Sequence, residues 1–462
     1  MVKTAFQKYK KTVLEGTADA LDDEGKGIVR TGEYGTLFVP DLLPGEKGKI
    51  EVYLDQKGQG KQCVLLERLS DSKDRVKPLC PYYEKCGGCS LMHLSYEKQL
   101  EYKREKVQNL LHKFAHIDGI QVNPTLGMDD PYRFRNKVQV PVKKIRGELV
   151  TGFYAENSHE LIPSEDCLIE SEKSAEILAY LKSVFTKYGV EAYDEDTGRG
   201  FLRHILIKES YHYPEIMVVF VTASREYVGK KNLVSLLTKK FPEIKTIVQN
   251  VNPRHTNVIL GEEEYVWYGS GKIRDSIFGK DFLISAKSFY QTNPKQLEVL
   301  YKTAIDAAGL TGKEDVLDAY SGTGTIGLSL SSYAKHVTLV EIVKDAVRDG
   351  VLNAKFNHIG NADFVWADCT EWILKNRKDL HFDVVVMDPP RAGSTPEFIG
   401  AVKSIAPEKV VYVSCNPVTL ARDLNLFKDR YSLVSATPVD MFPHTAHVET
   451  VVSLSLKKSD KH

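Results

Sequence analysis

The sequence predicts an α/β protein in three parts: a Rossmann-like C-terminal domain built on a parallel sheet, an α+β central region, and a small OB-like antiparallel β-barrel at the N-terminal end. Three observations carry this. After Lys287, continuous apolar runs at residues 316–317, 337–340, 382–387 and 409–413 alternate with helical stretches, the pattern of parallel strands covered on both faces. Between about residues 120 and 285, strand patterns at 138–142, 204–208 and 216–222 are mixed with one helical stretch at 172–188. From Thr12 to Leu69, short apolar runs are punctuated by glycines, the spacing of a small barrel.

Length agrees with this division. A chain of 462 residues at about 150 residues per domain gives about three, and the composition shifts place them at 1–70, 71–285 and 286–462. No segment approaches the roughly 18 continuous apolar residues of a membrane span. The N-terminus is basic but has no apolar stretch of the kind a secretory signal needs. A cytoplasmic, monomeric protein with no membrane partner is expected. Sixty-two basic residues balance sixty-two acidic ones, so net charge selects no partner and an anionic ligand must be met by local patches.

Beyond the barrel, a polar connection leads into Cys80, Cys86 and Cys89, with Cys167 far along the chain. An odd total of seven cysteines without a signal reads as thiols and metal ligands rather than disulfides. Four thiolates can hold zinc or an iron-sulfur cluster. Zinc sites more often use two C-x2-C pairs, and here there is one. Cys63 and Cys369 lack partners and are expected in the core. Residues 98–113, with Tyr102, Val107, Leu110, Leu111 and Phe114, suit a basic amphipathic helix. Arg133, Arg135 and Lys137 alternate, Lys143, Lys144 and Arg146 follow, and no acidic residue interrupts 132–147. On a strand the first three would share a face able to bind phosphates.

The C-terminal part holds the chemistry. Gly322, Gly324 and Gly327 form G-x-G-x-x-G between a strand and a helix, and Glu341 follows the first glycine by 19 positions at the end of the next strand. Such a loop approaches a nucleotide closely and the carboxylate accepts from ribose hydroxyls. NAD and S-adenosylmethionine (SAM) both fit. Asp388 ends a buried strand before Pro389-Pro390. Prolines cannot continue a central strand, so the chain leaves the sheet there, and an acidic residue before Pro-Pro is typical of methyltransferases that bring a planar base to the SAM methyl.

Cys415 ends the next strand, and Asn416-Pro417 reads as an N-cap with proline at the first helical position. A helix N-terminus favours a thiolate. Beside a methyl donor, a thiolate suits methylation of a pyrimidine at C5: adding to C6 turns C5 into a nucleophile, and a base later removes the C5 proton. His444, His447 and Glu449 precede the last strand. Glu449 is the base chosen, because burial would raise its pKa into a useful range, with His447 as rival.

Residues 288–293 (Ser-Phe-Tyr-Gln-Thr-Asn), 318–324, 388–391, 414–417 and 442–449 resemble, in order, the motifs of the RNA uracil-5 methyltransferases, most like the bacterial 23S rRNA enzymes that carry a TRAM domain and an iron-sulfur cluster. The resemblance implies that Gln291, Tyr320, Glu341 and Asp388 contact SAM together with Gly322 and Gly324, that Cys415 attacks C6, and that Glu449 takes the proton. It also implies that Cys80, Cys86, Cys89 and Cys167 hold a [4Fe-4S] cluster and that the barrel is a TRAM module holding RNA. Four ligands leave no open iron site, so radical SAM chemistry is not expected. Where the family often has Cys, this chain has Ser321. Transfer-RNA enzymes of the family commonly lack barrel and cysteines, so their presence favours ribosomal RNA, with transfer RNA as the alternative. The target uridine must be unstacked to be reached.

Overall fold

Residues 10–55, 57–156, 158–255 and 258–458 are described in a computed structural model of the chain. Strands β1 (Lys10–Thr17), β2 (Ala20–Leu21), β3 (Gly27–Thr31), β4 (Gly35–Val39), β5 (Lys47–Leu54) and β6 (Gly60–Arg68) form two antiparallel three-stranded sheets, ordered β1-β5-β6 and β2-β3-β4. Alternate residues turn inward, and Val29, Leu37, Val39, Ile50, Val52, Leu54 and Cys63 make one shared core. A polar stretch carrying three of the cysteines then leads to helix α1 (Tyr96–Leu110), which ends in a π-turn at Leu111–Ala115.

The central region holds β7 (Lys137–Ile145), β8 (Glu148–Tyr154), β9 (Leu161–Pro163), α2 (Glu172–Lys187), β10 (Leu202–Glu209), β11 (Ile216–Thr222), α3 (Lys230–Lys240), β12 (Ile244–Val251) and β13 (Glu263–Tyr268). Its sheet is ordered β13-β12-β11-β10-β7-β8-β9, with only β11 and β12 parallel. One face packs on α2 and α3 through Ile177, Leu181, Leu233 and Leu237. From the other face Leu206, Met217, Val219 and Val248 join a core that also contains the hairpin β14 (Lys272–Ile277) and β15 (Lys280–Ser285) and the C-terminal sheet. Apolar packing is therefore continuous across residue 285, which explains why every residue of β11 is buried.

The C-terminal part runs α4 (Pro294–Ala308), β16 (Asp315–Ala319), α5 (Thr325–Leu330), β17 (His336–Glu341), α6 (Lys344–Phe356), β18 (Ala362–Trp366), α7 (Cys369–Asn376), β19 (Val384–Met387), α8 (Pro396–Ile405), β20 (Lys409–Ser414), α9 (Pro417–Phe427), β21 (Tyr431–Val439) and β22 (Glu449–Leu456). The sheet order is β18-β17-β16-β19-β20-β22-β21. The first five strands are parallel, and the last two are antiparallel to their neighbours. Val384–Met387 are fully enclosed, and burying each such side chain contributes on the order of 1.5–3 kcal/mol. Among the described residues no helix is long and apolar enough to cross a membrane.

Two expectations change. The helix read at 98–113 is present, but its apolar side (Val107, Leu110, Leu111 and Ala115) packs into the core of the C-terminal sheet beside Leu420, Leu424 and Phe427 of α9. Its Lys103 is buried against Asp440 instead of facing solvent. The basic alternation at 133–137 is not a strand face: β7 begins at Lys137, and Arg133 adopts a left-handed φ of 50°. Both terminal nitrogens of Arg133 bond Asp166, at 2.6 and 2.7 Å, and one also reaches the Cys167 carbonyl. This arginine is committed to holding the Cys167 loop. Lys144 and Arg146 remain exposed at the β7–β8 turn.

Candidate active site

Topology alone brings the chemistry together. Strands β17 and β18 leave to one side of β16 while β19 and β20 stack on the other, which makes the β16–β19 boundary the switch point of the sheet. Register pairs Ala319 with Met387 and Met387 with Tyr412, so the loop after β16, Asp388, and Cys415 after β20 all emerge at one edge. Strand β22 runs the opposite way, with Thr450 paired to Ser414. Its first residue, Glu449, therefore starts at the edge where the parallel strands end.

The glycine loop is shaped for close approach. Tyr320, Gly322 and Gly324 all have left-handed φ, at 61°, 56° and 81°. A Cβ on Gly324 would lie 2.7 Å from the Phe364 ring, whereas one on Gly322 would meet only open space. Gly324 thus serves packing, and Gly322 faces the region a ligand would fill. Glu341 accepts from Gly322 N at 2.9 Å and from Val343 N at 2.7 Å. Asp318 accepts from Gly327 N at 2.8 Å, fixing the start of α5, and burial pushes its carboxyl up to about 8. The Tyr320 hydroxyl lies 3.1 Å from Ser394 Oγ, and its ring packs against Phe398. Gln291 is buried in the loop between β15 and α4, next to Thr292 and the α4 cap Asn293. Lys208 of the central sheet steadies the start of that loop by donating to the Ser285 and Ser288 carbonyls, and Phe289 stands 69% exposed beside it.

Cys415, Asp388 and Glu449 form the reactive group. Asn416 caps α9 by accepting from Val418 N and holds the Arg391 carbonyl through its amide nitrogen, as expected of an Asn-Pro start. The expected ionisation of the thiol is not found. Burial, then the charges of Glu449 and Asp388, push Cys415 up to about 11 against the opposing Arg391 cation. Burial first, and then two carboxylates contributed by distant parts of the chain, outweigh the helix terminus. Burial pushes Asp388 up to about 7, and burial with Asp388 as neighbour pushes Glu449 up to about 8. Burial acts on both carboxyls, neighbouring charges act on Glu449, and no hydrogen bond acts on either among the described residues, so both are available at the edge. His447 is exposed, with Nδ1 3.4 Å from Arg391, and its pKa is lowered by burial of part of the ring and by that cation. It is not among the groups acting on Cys415, whereas Glu449 is the strongest charge that does.

Sequence reasoning assigned no role to two supports. Asp423, fully buried in α9, accepts from Ser394 N at 2.7 Å and Tyr412 Oη at 2.8 Å, while Arg422 ties the Ala392 and Ser394 carbonyls. Together they fix the loop after Pro390. An Arg-Asp pair within a helix carries no local sign of this.

The four cysteines share one neighbourhood. Cys86 and Cys80 both add to the burial that pushes Cys89 up to about 12, Cys80 acts on Cys86, and Cys89 acts on Cys167. Gly88 N points at Cys86 Sγ, 3.4 Å away. Among the described residues no group of three or more His, Cys, Asp or Glu is arranged to hold a single metal ion. The four thiols are half-buried, and a cationic centre bound among them would favour their thiolate forms.

Residues 231–457 match the tRNA (uracil-5-)-methyltransferase family. The chain is 43% identical to an uncharacterized RNA methyltransferase of Halalkalibacterium halodurans, over 99% of this chain and all of the relative. It is 42% identical to one of Staphylococcus aureus, over 97% of this chain and 99% of the relative. Among solved structures, the Pyrococcus abyssi tRNA (uracil-54, C5)-methyltransferase in complex with S-adenosyl-L-homocysteine is similar with a TM-score of 0.75 and 26% identity, covering 96% of this chain and all of that one.

Proposed function

Because this chain belongs to the RNA uracil-5 methyltransferase family, we propose that it transfers a methyl group from SAM to C5 of a uridine in 23S rRNA. The observation that supports this best is the meeting of one cysteine and two carboxylates that accept no hydrogen bond among the described residues, Cys415, Asp388 and Glu449, at one edge of a Rossmann-like sheet. O- or N-methylation has no use for such a thiol.

In this reading Gln291, Tyr320, Gly322, Glu341 and Asp388 hold SAM, with Gly324 fixing the shape of their loop against Phe364, and SAM would supply an electrophilic methyl group on a positively charged sulfur. The Cys415 thiolate would add to C6 of the flipped uracil, making C5 nucleophilic, and C5 would take the methyl group as the methyl's bond to the SAM sulfur breaks and leaves a neutral thioether. Glu449 then accepts the C5 proton and sulfur leaves C6. Burial and two acidic neighbours hold the thiol protonated in spite of Arg391, the chain's own cation acting on it, and a positively charged sulfur bound beside them would favour the thiolate. Cys80, Cys86, Cys89 and Cys167 would carry a structural [4Fe-4S] cluster, and residues 1–70 would be the TRAM-like module that holds RNA, ahead of a central domain at 71–285 and a catalytic domain at 286–462.

Transfer RNA is the second reading, and one finding favours it: a tRNA-acting neighbour aligns with 96% of this chain. Presence of the N-terminal module therefore does not by itself point to ribosomal RNA. Mapping 5-methyluridine in 23S rRNA and in tRNA from cells lacking the protein decides. Loss of an rRNA position is expected. Loss confined to tRNA would replace the substrate, and loss of neither would end the reading.

A further inference from the structure

Helix α1 lies outside the motifs just described, yet it grips the loop that leads into Glu449. Tyr96, Gln99, Lys103 and Lys106 recur at helical spacing along one side of it, and each meets that loop or a strand end beside it. Tyr96 Oη donates to Asp440 at 2.8 Å. Gln99 accepts from His444 N at 2.9 Å. Lys103 pairs with Asp440, both fully buried, and donates to the Phe442 carbonyl at 3.0 Å. Lys106 reaches the Ala446 carbonyl at 3.0 Å and, with the same nitrogen, the Asp23 carbonyl of the N-terminal barrel at 2.6 Å.

The loop needs such a grip. His444 sits at a left-handed φ of 65°, a region costly for a residue other than glycine. Its carbonyl is held by both Ser90 N and Leu91 N at 2.9 Å. A buried ion pair is also weak as a source of stability, because desolvation offsets most of the attraction. What a pair such as Lys103–Asp440 does provide is one fixed arrangement.

We propose that Lys103 and Lys106 are positioning residues for the proton-removal step, holding the 440–447 loop so that Glu449 meets the C5 hydrogen after methyl transfer. This rests on the assignment of Glu449 as the base. In that step the C5–H bond breaks, its electron pair becomes the C5=C6 double bond, the C6–S bond breaks with its pair returning to Cys415 as thiolate, and the proton ends on Glu449. Addition to C6 and methyl transfer do not use the proton acceptor. Loosening the loop therefore slows release and leaves the earlier steps intact. Through Asp23, Lys106 also makes the barrel part of this support.

The experiment compares Lys106→Met, Lys103→Met and Glu449→Gln in the full-length protein, using RNA carrying the target uridine and SAM. Displacing a base by about 1 Å costs on the order of 100-fold, so kcat should fall by about 10- to 100-fold and KM for RNA should fall with it, leaving kcat/KM near the wild-type value. A covalent protein–RNA adduct should accumulate on unmodified uridine RNA, as it should with Glu449→Gln, and adduct formation on 5-fluorouridine RNA should keep its wild-type rate. Lys106→Met is decisive should Lys103→Met not fold. Wild-type kcat in Lys106→Met, or a lower kcat with no adduct on uridine RNA, overturns the proposal. Absence of adduct in Glu449→Gln overturns the assignment of the base itself and is read separately.

Discussion

Replacing Glu449 with glutamine keeps its shape and removes its charge, and the consequence for stability can be worked from its surroundings. Glu449 is 4% exposed, with no hydrogen-bond donor to it among the described residues, and burial together with Asp388 raises its carboxyl from 4.5 to about 8. The folded protein thus keeps a proton that the unfolded chain releases above 4.5. Stability from this group is complete below that pH and is lost as pH rises toward 8. At roughly 1.4 kcal/mol per pH unit the upper bound is about 5 kcal/mol, and sharing the penalty with Asp388 leaves about 2–3 kcal/mol. Urea unfolding without SAM, from about pH 5 to 8.5, should show the glutamine variant gaining that amount over the wild type as pH rises. A difference between the two that stays flat with pH would refute the reasoning.

Glu341→Gln weakens a charged acceptor for Gly322 N and Val343 N and, on the proposed reading, a ribose partner. At about 1.5–3 kcal/mol for bonds to a charged group, SAM affinity should fall about 10- to 100-fold by calorimetry. The two loop glycines should separate: Gly324→Ala, driven into Phe364 and Leu339, should cost about 1–3 kcal/mol of stability, while Gly322→Ala should weaken SAM binding more than it lowers stability. Cys89→Ser should lower the iron and sulfide content of the purified protein and its visible absorbance; unchanged iron content would remove the proposed cluster.

What the sequence revealed was mostly local. Apolar runs ending abruptly on Asp388 and Cys415 located both residues at strand ends, because a continuous hydrophobic strand followed by Pro-Pro or Asn-Pro has few other meanings. The strand after Glu449 was legible as a terminal apolar run reaching Leu456. What stayed hidden depends on partners far away in the chain. Lys103 lies in a stretch read only as a basic amphipathic helix, and nothing near it in sequence announces Asp440. Arg133 looked like part of a phosphate-binding face, but Asp166 and the Cys167 carbonyl had already claimed it. The thiol was expected to ionise because its helix is adjacent in sequence, while the two carboxylates that oppose ionisation lie on other strands.

The most direct measurement incubates the protein with SAM and RNA bearing 5-fluorouridine at the target, then locates the covalent attachment by mass spectrometry. Fluorine cannot leave as a proton, so the account predicts a stable, methylated adduct on the peptide containing Cys415. Attachment to another residue, or undiminished 5-methyluridine formation by Cys415→Ala, would contradict it.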